Sequence, residues 1–267
     1  MGKKKIIAGL FSFGAITLVV ALFILYFPNT QKNTEQVGTA SNMDYATQKV
    51  ISEDLLLKKN LEFTNHLLTM TGIYFDGVRL YIAISNNGFQ TEKITDPALF
   101  KIQSGNSSYI ADLLIDQESI SKVSGDESNI FLIVFNAIDS GLSNCILTYD
   151  ESEKTDAFDI GNDKAELVKL EIAYEEIYLN YVQYGTTSTL VNCKITAFID
   201  AGSFQFQTID GVYPAYVVHK KGNNFSILIP LQLQEKSEGT LISNSNNGNV
   251  ELRVPIKFEK GDDKSLM

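Results

Sequence analysis

The sequence predicts a mainly β protein, with an N-terminal transmembrane helix followed by two antiparallel β-sandwiches in tandem. Three observations predict it. One uncharged apolar run near the start is long enough to cross a bilayer. Beyond residue 66 the hydrophobic period changes to two. A hairpin pattern then recurs about 100 residues further on.

The apolar run is Ile6 to Phe27, 22 residues without a charge. At about 1.5 Å per residue, a helix of that length spans roughly 33 Å. Ser12 and Thr17 can bond to the preceding turn, and Pro28 marks the end. The run is long for a signal peptide, and Leu25-Tyr26-Phe27-Pro28 is a poor cleavage site, which favours an uncleaved signal anchor over a removed leader. Lys3, Lys4 and Lys5 precede the span, so residues 1–5 are expected to stay in the cytoplasm and the rest to lie outside.

Residues 28–66 read as a polar tether (28–42) and one short helix near 47–62. There Val50, Leu57, Leu61 and Leu68 roughly follow a helical period. The first sandwich is expected over 67–150. Its opening runs, 67–75 and 78–85, flank Asp76-Gly77, a pair suited to a type I′ turn. Val78, Leu80, Ile82 and Ile84 alternate on one face. Further strands are expected at 98–103, 107–115, 129–136 and 144–149. The acidic stretch 151–164 reads as an interdomain linker. A second sandwich follows over 165–260, with strands at 166–174, 177–184, 189–200, 203–209, 214–219, 225–233, 239–243 and 249–258, and then a polar tail, 261–267. Pro214, Pro230 and Pro255 suggest edge strands or bulges.

The two halves show an internal likeness. Phe75-Asp76-Gly77-Val78-Arg79-Leu80-Tyr81 aligns with Tyr174-Glu175-Glu176-Ile177-Tyr178-Leu179-Asn180 at an offset of 99 residues. A hairpin with an acidic-Gly turn, a strand Arg79-Leu80-Tyr81-Ile82-Ala83-Ile84-Ser85 and a closing Asn-Gly, shortly after a single span, resembles the extracytoplasmic immunoglobulin-like modules of Gram-positive single-pass membrane proteins. These include anti-sigma-factor-type ectodomains and telokin-like domains. The resemblance covers 67–150 and, more weakly, 166–258. It implies an immunoglobulin-like fold and an extracytoplasmic place. The anti-sigma type carries a cytoplasmic binding segment that is missing before Ile6, so no regulatory activity is implied.

Composition limits the chemistry. The chain has 22 basic and 32 acidic residues among 267, a net charge of −10. Residues 28–267 hold 19 basic and 32 acidic groups, a net −13, which argues against nucleic acid and would repel anionic lipid and wall polymers. Two histidines and two cysteines are too few for a zinc cluster. No nucleophile-base motif occurs, so neither catalysis nor a cofactor is expected. Calcium on Asp156, Asp159 and Asp163 is a weaker reading than a solvated acidic segment. Cys145 and Cys193 could pair as a disulfide outside the cell, or be two buried apolar side chains on strands. Tyr178, Tyr184, Tyr213 and Tyr216 could form a recognition surface, with Tyr178 and Tyr184 on one face by parity, or pack in the cores.

The expectation is a non-catalytic, membrane-anchored extracytoplasmic binding or scaffold protein of the bacterial cell envelope, with an envelope protein as partner. The alternative is a signal-relay or secretion-regulating subunit acting through its span, where Ala8 and Ser12 form a small-xxx-small pair.

Overall fold

In the computed structural model the chain is described over residues 43–87, 94–125, 129–161, 165–174, 176–196, 201–234, 237–245 and 249–258. The expected span 6–27, its flanks and the tail 261–267 lie outside the described residues. Among the described residues no helix is long and apolar enough to cross a membrane. The fold is mostly β with antiparallel sheets, and Ser41–Met267 forms one compact unit built around several hydrophobic cores.

The chain enters through helix α1, Tyr45–Ser52, capped by Asp44, whose carboxylate accepts the Thr47 amide at 3.0 Å. The helix expected near 47–62 stops early. Glu53 caps its C-terminus and Asp54 turns the backbone left-handed at φ 50°. Leu57–Glu62 is instead β1, an edge strand, with Leu57 exposed and Leu61 half-buried. The spacing of these leucines looked helical only because two elements share it.

β2 (Leu68–Phe75) and β3 (Leu80–Asn86) follow, then a 3₁₀ turn (Pro97–Leu99), β4 (Phe100–Ser104), β5 (Ser107–Ile110), β6 (Leu113–Ile115), helix α2 (Gln117–Ser124), β7 (Ile130–Phe135), β8 (Ile146–Tyr149) and β9 (Glu153–Lys154). They form two antiparallel sheets, β1-β2-β3-β7-β6 and β5-β4-β8-β9, with a core between them that holds Leu80, Ile82, Ile84, Phe100 and Leu147. The run expected at 107–115 is thus two strands. Tyr81 and Ala83 are as buried as Leu80 and Ile82, because a further cluster with Val50 of α1 and Ile120 of α2 covers the other face. Both faces of β3 are dry, so its sequence reads as a continuous apolar run.

The β2–β3 connection is a four-residue turn rather than type I′. Phe75 pairs with Leu80, the Asp76 amide bonds the Arg79 carbonyl at 3.0 Å, and within the turn only Gly77 has positive φ. Part of the expected linker belongs to the first half. β9 pairs with β8, Phe158 bridges Cys145, and Phe158 and Ile160 are buried in its core. The linker expectation overlooked these two apolar side chains among the acids.

The second half is built from β10 (Glu166–Ala173), β11 (Ile177–Tyr184), β12 (Thr189–Ile195), β13 (Ala201–Gln207), β14 (Val212–Lys221), β15 (Asn224–Ile229), β16 (Glu238–Ser245) and β17 (Val250–Lys257). Their order is β10-β11-β12-β15-β14-β13-β16-β17. β14 serves two sheet wings: Val212–Ala215 pairs with β13, and Tyr216–Lys221 pairs with β15. The core lies between the wings, with Leu179, Val191 and Ile227 from one and Phe206, Leu241 and Leu252 from the other. Pro214 sits where β14 has β13 as its partner, and Pro255 lies on the edge strand β17, so neither removes a central ladder bond.

The two halves are not copies in topology. At the 99-residue offset Leu80 and Leu179 match as core residues, but beyond them the β11 bulge puts Tyr181 on the outer face where Ile82 is core. The turn bonds of the two hairpins, Asp76 to Arg79 and Tyr174 to Ile177, are instead 98 residues apart.

Candidate functional site

The strongest constellation of buried polar groups lies where the two halves meet. Arg79 stands in an otherwise apolar strand approach, between Val78 and Leu80, and is fully buried. Its guanidinium forks onto Asp44, Nη1 to Oδ1 at 3.1 Å and Nη2 to Oδ2 at 2.9 Å, while Nε donates to the Asn136 side chain at 2.7 Å. The Tyr81 and Tyr216 rings flank it at 5.4 and 5.8 Å. Burial alone would favour neutral Arg79. The Asp44 and Asp76 carboxylates favour the charged form, and its pKa lies above the ordinary value.

Asp76 is the second anion here. One carboxylate oxygen accepts the Val78 and Arg79 amides at 2.8 and 2.5 Å. The other accepts the Thr187 and Ser188 hydroxyls at 2.6 and 2.7 Å, across to the β11–β12 turn. Tyr216 of β14 donates to Asp44 at 3.3 Å. Val78 packs with Leu190 and Leu228 beside this network. Each carboxylate therefore ties the first half to the second, and Asp44 also ties both to α1. Burial and Asp44 raise the Tyr216 pKa, partly offset by Arg79. A network in which each of these charged side chains already has bonded partners suits a strut better than a reacting centre.

A surface cleft of about 480 Å³ opens between β1 and β9, lined by Glu62, His66, Lys154 and Asp156 among others. His66, at φ 57°, contacts the Glu62 carboxylate through Nδ1. Asn65 bonds Glu153 through its amide, at 2.9 Å, and through its side chain. Asp156 lines this cleft, Asp159 accepts the Asn144 amide at 2.9 Å, and Asp163 lies outside the described residues. Among the described residues no group of three or more His, Cys, Asp or Glu is placed to hold a metal ion.

Cys145 and Cys193 are free and buried, one in the core of each half. The disulfide considered from sequence is not formed, because each thiol faces its own core. Burial pushes the Cys193 thiol up to about 12 and raises that of Cys145.

The four tyrosines do not assemble into one surface. Tyr178 is 37% exposed, whereas Tyr184 packs against the second core. A bulge between Leu179 and Tyr181 shifts the phase of β11, so the two do not share a face as parity predicted. Tyr213 meets Tyr45 edge-on at 5.8 Å, and Tyr216 belongs to the buried network.

The sequence marks Asp76 only as a turn residue and Arg79 only as part of a strand, and it does not mark Asp44. The available signal was a lone arginine inside an apolar alternating run.

No protein-family model and no curated protein matches the chain. Among solved structures, one described as the conserved domain protein from Bacillus anthracis is similar at 10% identity and a TM-score of 0.47, over 78% of this chain and 93% of that one. A marsupial T cell receptor is similar at 13% identity and a TM-score of 0.22, over 77% of this chain and 99% of that one. Likeness at these scores carries no functional argument. The chain's own strands establish a mostly β fold of antiparallel sheets.

Proposed function

We propose that the chain is a non-catalytic binding or scaffold protein of a bacterial cell envelope, held in the cytoplasmic membrane by residues 6–27, with its β unit outside. We read its halves as immunoglobulin-like in the broad sense of packed antiparallel sheets. The observation that carries the scaffold reading is the Asp44–Arg79–Asp76 network. It commits three buried charged side chains, Asp44, Asp76 and Arg79, to joining α1 to both halves. A scaffold needs that fixed geometry, and a span would raise the local concentration of the unit at the membrane surface.

Protease treatment of spheroplasts, followed by crosslinking of the intact chain to its envelope partners, tests this. Digestion from outside and a specific crosslinked protein are expected. A chain protected inside the cell would overturn the reading.

The relay alternative gains support from Asp44, since a shift of the segment before α1 would be felt directly by Arg79 and Tyr216. Exchanging the span for an unrelated one separates the two. Function kept favours the scaffold, and function lost favours relay.

A further inference from the structure

The outer face of one wing of the second half inverts the charge of the chain. Strands β11, β12, β14 and β15 carry no aspartate or glutamate, although the chain has 32 acidic residues. The pairing register places side chains in rows across this wing. One row runs Tyr178, Lys194, Asn224, Lys221, all exposed. The next runs Lys169, Tyr181, Asn192, Ser226, His219. Neither row contains an acid. Glu166 lies at the far end of β10, Glu171 in its bulge and Glu176 in the turn before β11.

The floor of this face is ordered. Asn180 donates to Asn192 at 2.7 Å, and Asn192 donates to Ser226 at 3.1 Å. The ladder fixes the amides, and each amide keeps further donor and acceptor capacity for hydroxyls. The inward partners of these residues, Leu179, Val191, Cys193, Phe225 and Ile227, are core, so the face stands on a packed sheet.

We propose that this face binds an extended anionic polysaccharide. Three chemistries converge on that class. Tyr178 and Tyr181 offer ring faces for the apolar C–H faces of sugar rings. The amide ladder suits sugar hydroxyls. Lys194 and Lys221 stand two strands apart, about 10 Å, and present compact charges to acidic groups along a chain. The net −13 of residues 28–267 does not forbid this. At physiological salt, charges beyond about 8 Å are largely screened, so the local sign governs contact. The polymer lies flat across the strands, with charge setting its approach and the rings and amides selecting sugar. The proposal deepens the binding reading by naming a ligand class, and it does not depend on the chain's location.

The test uses the intact chain in non-ionic detergent, with polygalacturonate, dextran sulfate, neutral dextran and a single-stranded oligonucleotide as probes. At low ionic strength the anionic polysaccharides should retain the chain and neutral dextran should not. Lys194→Glu with Lys221→Glu should weaken retention about tenfold. Tyr178→Ala should weaken it about threefold. Lys58→Glu with Lys59→Glu, the same charge change on edge strand β1, should leave it unchanged. Circular dichroism confirms that these exposed variants keep their sheet content. Absence of retention by both anionic polysaccharides overturns the proposal, as does equal loss in the β1 variant. Equal affinity for the oligonucleotide overturns the assignment to sugar. In each of these cases spheroplast proteolysis and partner crosslinking would still decide the scaffold reading separately.

Discussion

Arg79 and Asp44 meet as a two-pronged ion pair, with side chains 0% and 1% exposed, although 35 residues separate them. Asp44 is at the same time the N-cap of α1. One carboxylate therefore caps a helix, neutralises a buried guanidinium and receives the Tyr216 hydroxyl from the other half.

Removing one partner of such a pair strands the other charge in a dry site. Arg79→Met should destabilise the chain by roughly 3–5 kcal/mol, read from the urea midpoint. Adding Asp44→Asn to Arg79→Met should cost less than the sum of the single changes, because the stranded charge is then gone. Strict additivity in that cycle would contradict the pairing.

The Asp76 carboxylate reaches Thr187 and Ser188 across the junction. Thr187→Val keeps the shape and deletes one charge-assisted bond, at about 1.5–3 kcal/mol. The effect should appear in both halves, so amide exchange ought to quicken in β3 as well as in β12. Exchange faster in β12 alone would mean the halves are not coupled through Asp76.

Alkaline pH should loosen the junction. Burial raises the Tyr81 and Tyr216 pKa values in the folded chain, while unfolded tyrosine ionises near pH 10. Below that value both states hold the phenolic protons and this stabilisation is intact. As pH rises past about 10 the unfolded chain releases them first, so stability falls with pH. Tyr216→Phe removes one such group. Its urea midpoint should be lower than that of the unaltered chain at pH 8 and should fall less steeply between pH 9.5 and 11.

The two thiols should behave as core groups. A thiol reagent should label neither Cys145 nor Cys193 in the folded chain and both in denaturant without reductant, since they lie in separate cores. One bond per chain recovered after denaturation would contradict the structure.

Legibility followed physical reach along the chain. Strands one sheet deep were readable because alternation is local. Leu179, Val191 and Ile227 each announced a buried face within a few residues. β11 was misread where Asn180 bulges out, since an extra residue changes parity without changing composition. α1 and β1 merged into one expected helix because Asp54 at φ 50° breaks a period that the leucines seem to continue. The junction was illegible as a site. Asp44, Asp76, Arg79, Thr187 and Tyr216 are unremarkable apart, and pairing over separations up to 172 residues comes from topology. The basic face was hidden similarly, since Lys169, Lys194 and Lys221 are scattered in sequence and brought to one face only by register.

Gly185 tests the junction from the backbone side. A Cβ there would meet the Asp76 carbonyl oxygen at 2.8 Å, the Ser188 carbonyl oxygen at 3.0 Å and Asp76 Oδ1 at 3.2 Å. Two of these atoms are backbone and cannot rotate aside. The Gly185 amide also bonds the Ser188 carbonyl at 2.9 Å within the turn, and the Thr186 amide bonds the Asp76 carbonyl at 2.8 Å across the junction, so relief would disturb both the turn and a bond that joins the halves. Gly185→Ala should therefore destabilise by about 1–3 kcal/mol despite adding one methyl group. Gly211 offers the contrast, because its nearest neighbour would be Tyr213 Oη at 3.8 Å and its φ is not in the left-handed region. There alanine should be neutral or slightly stabilising through the unfolded chain. Chemical denaturation of both variants checks this, and equal midpoints would mean that the approach of Asp76 to the β11–β12 turn does not hold the halves together.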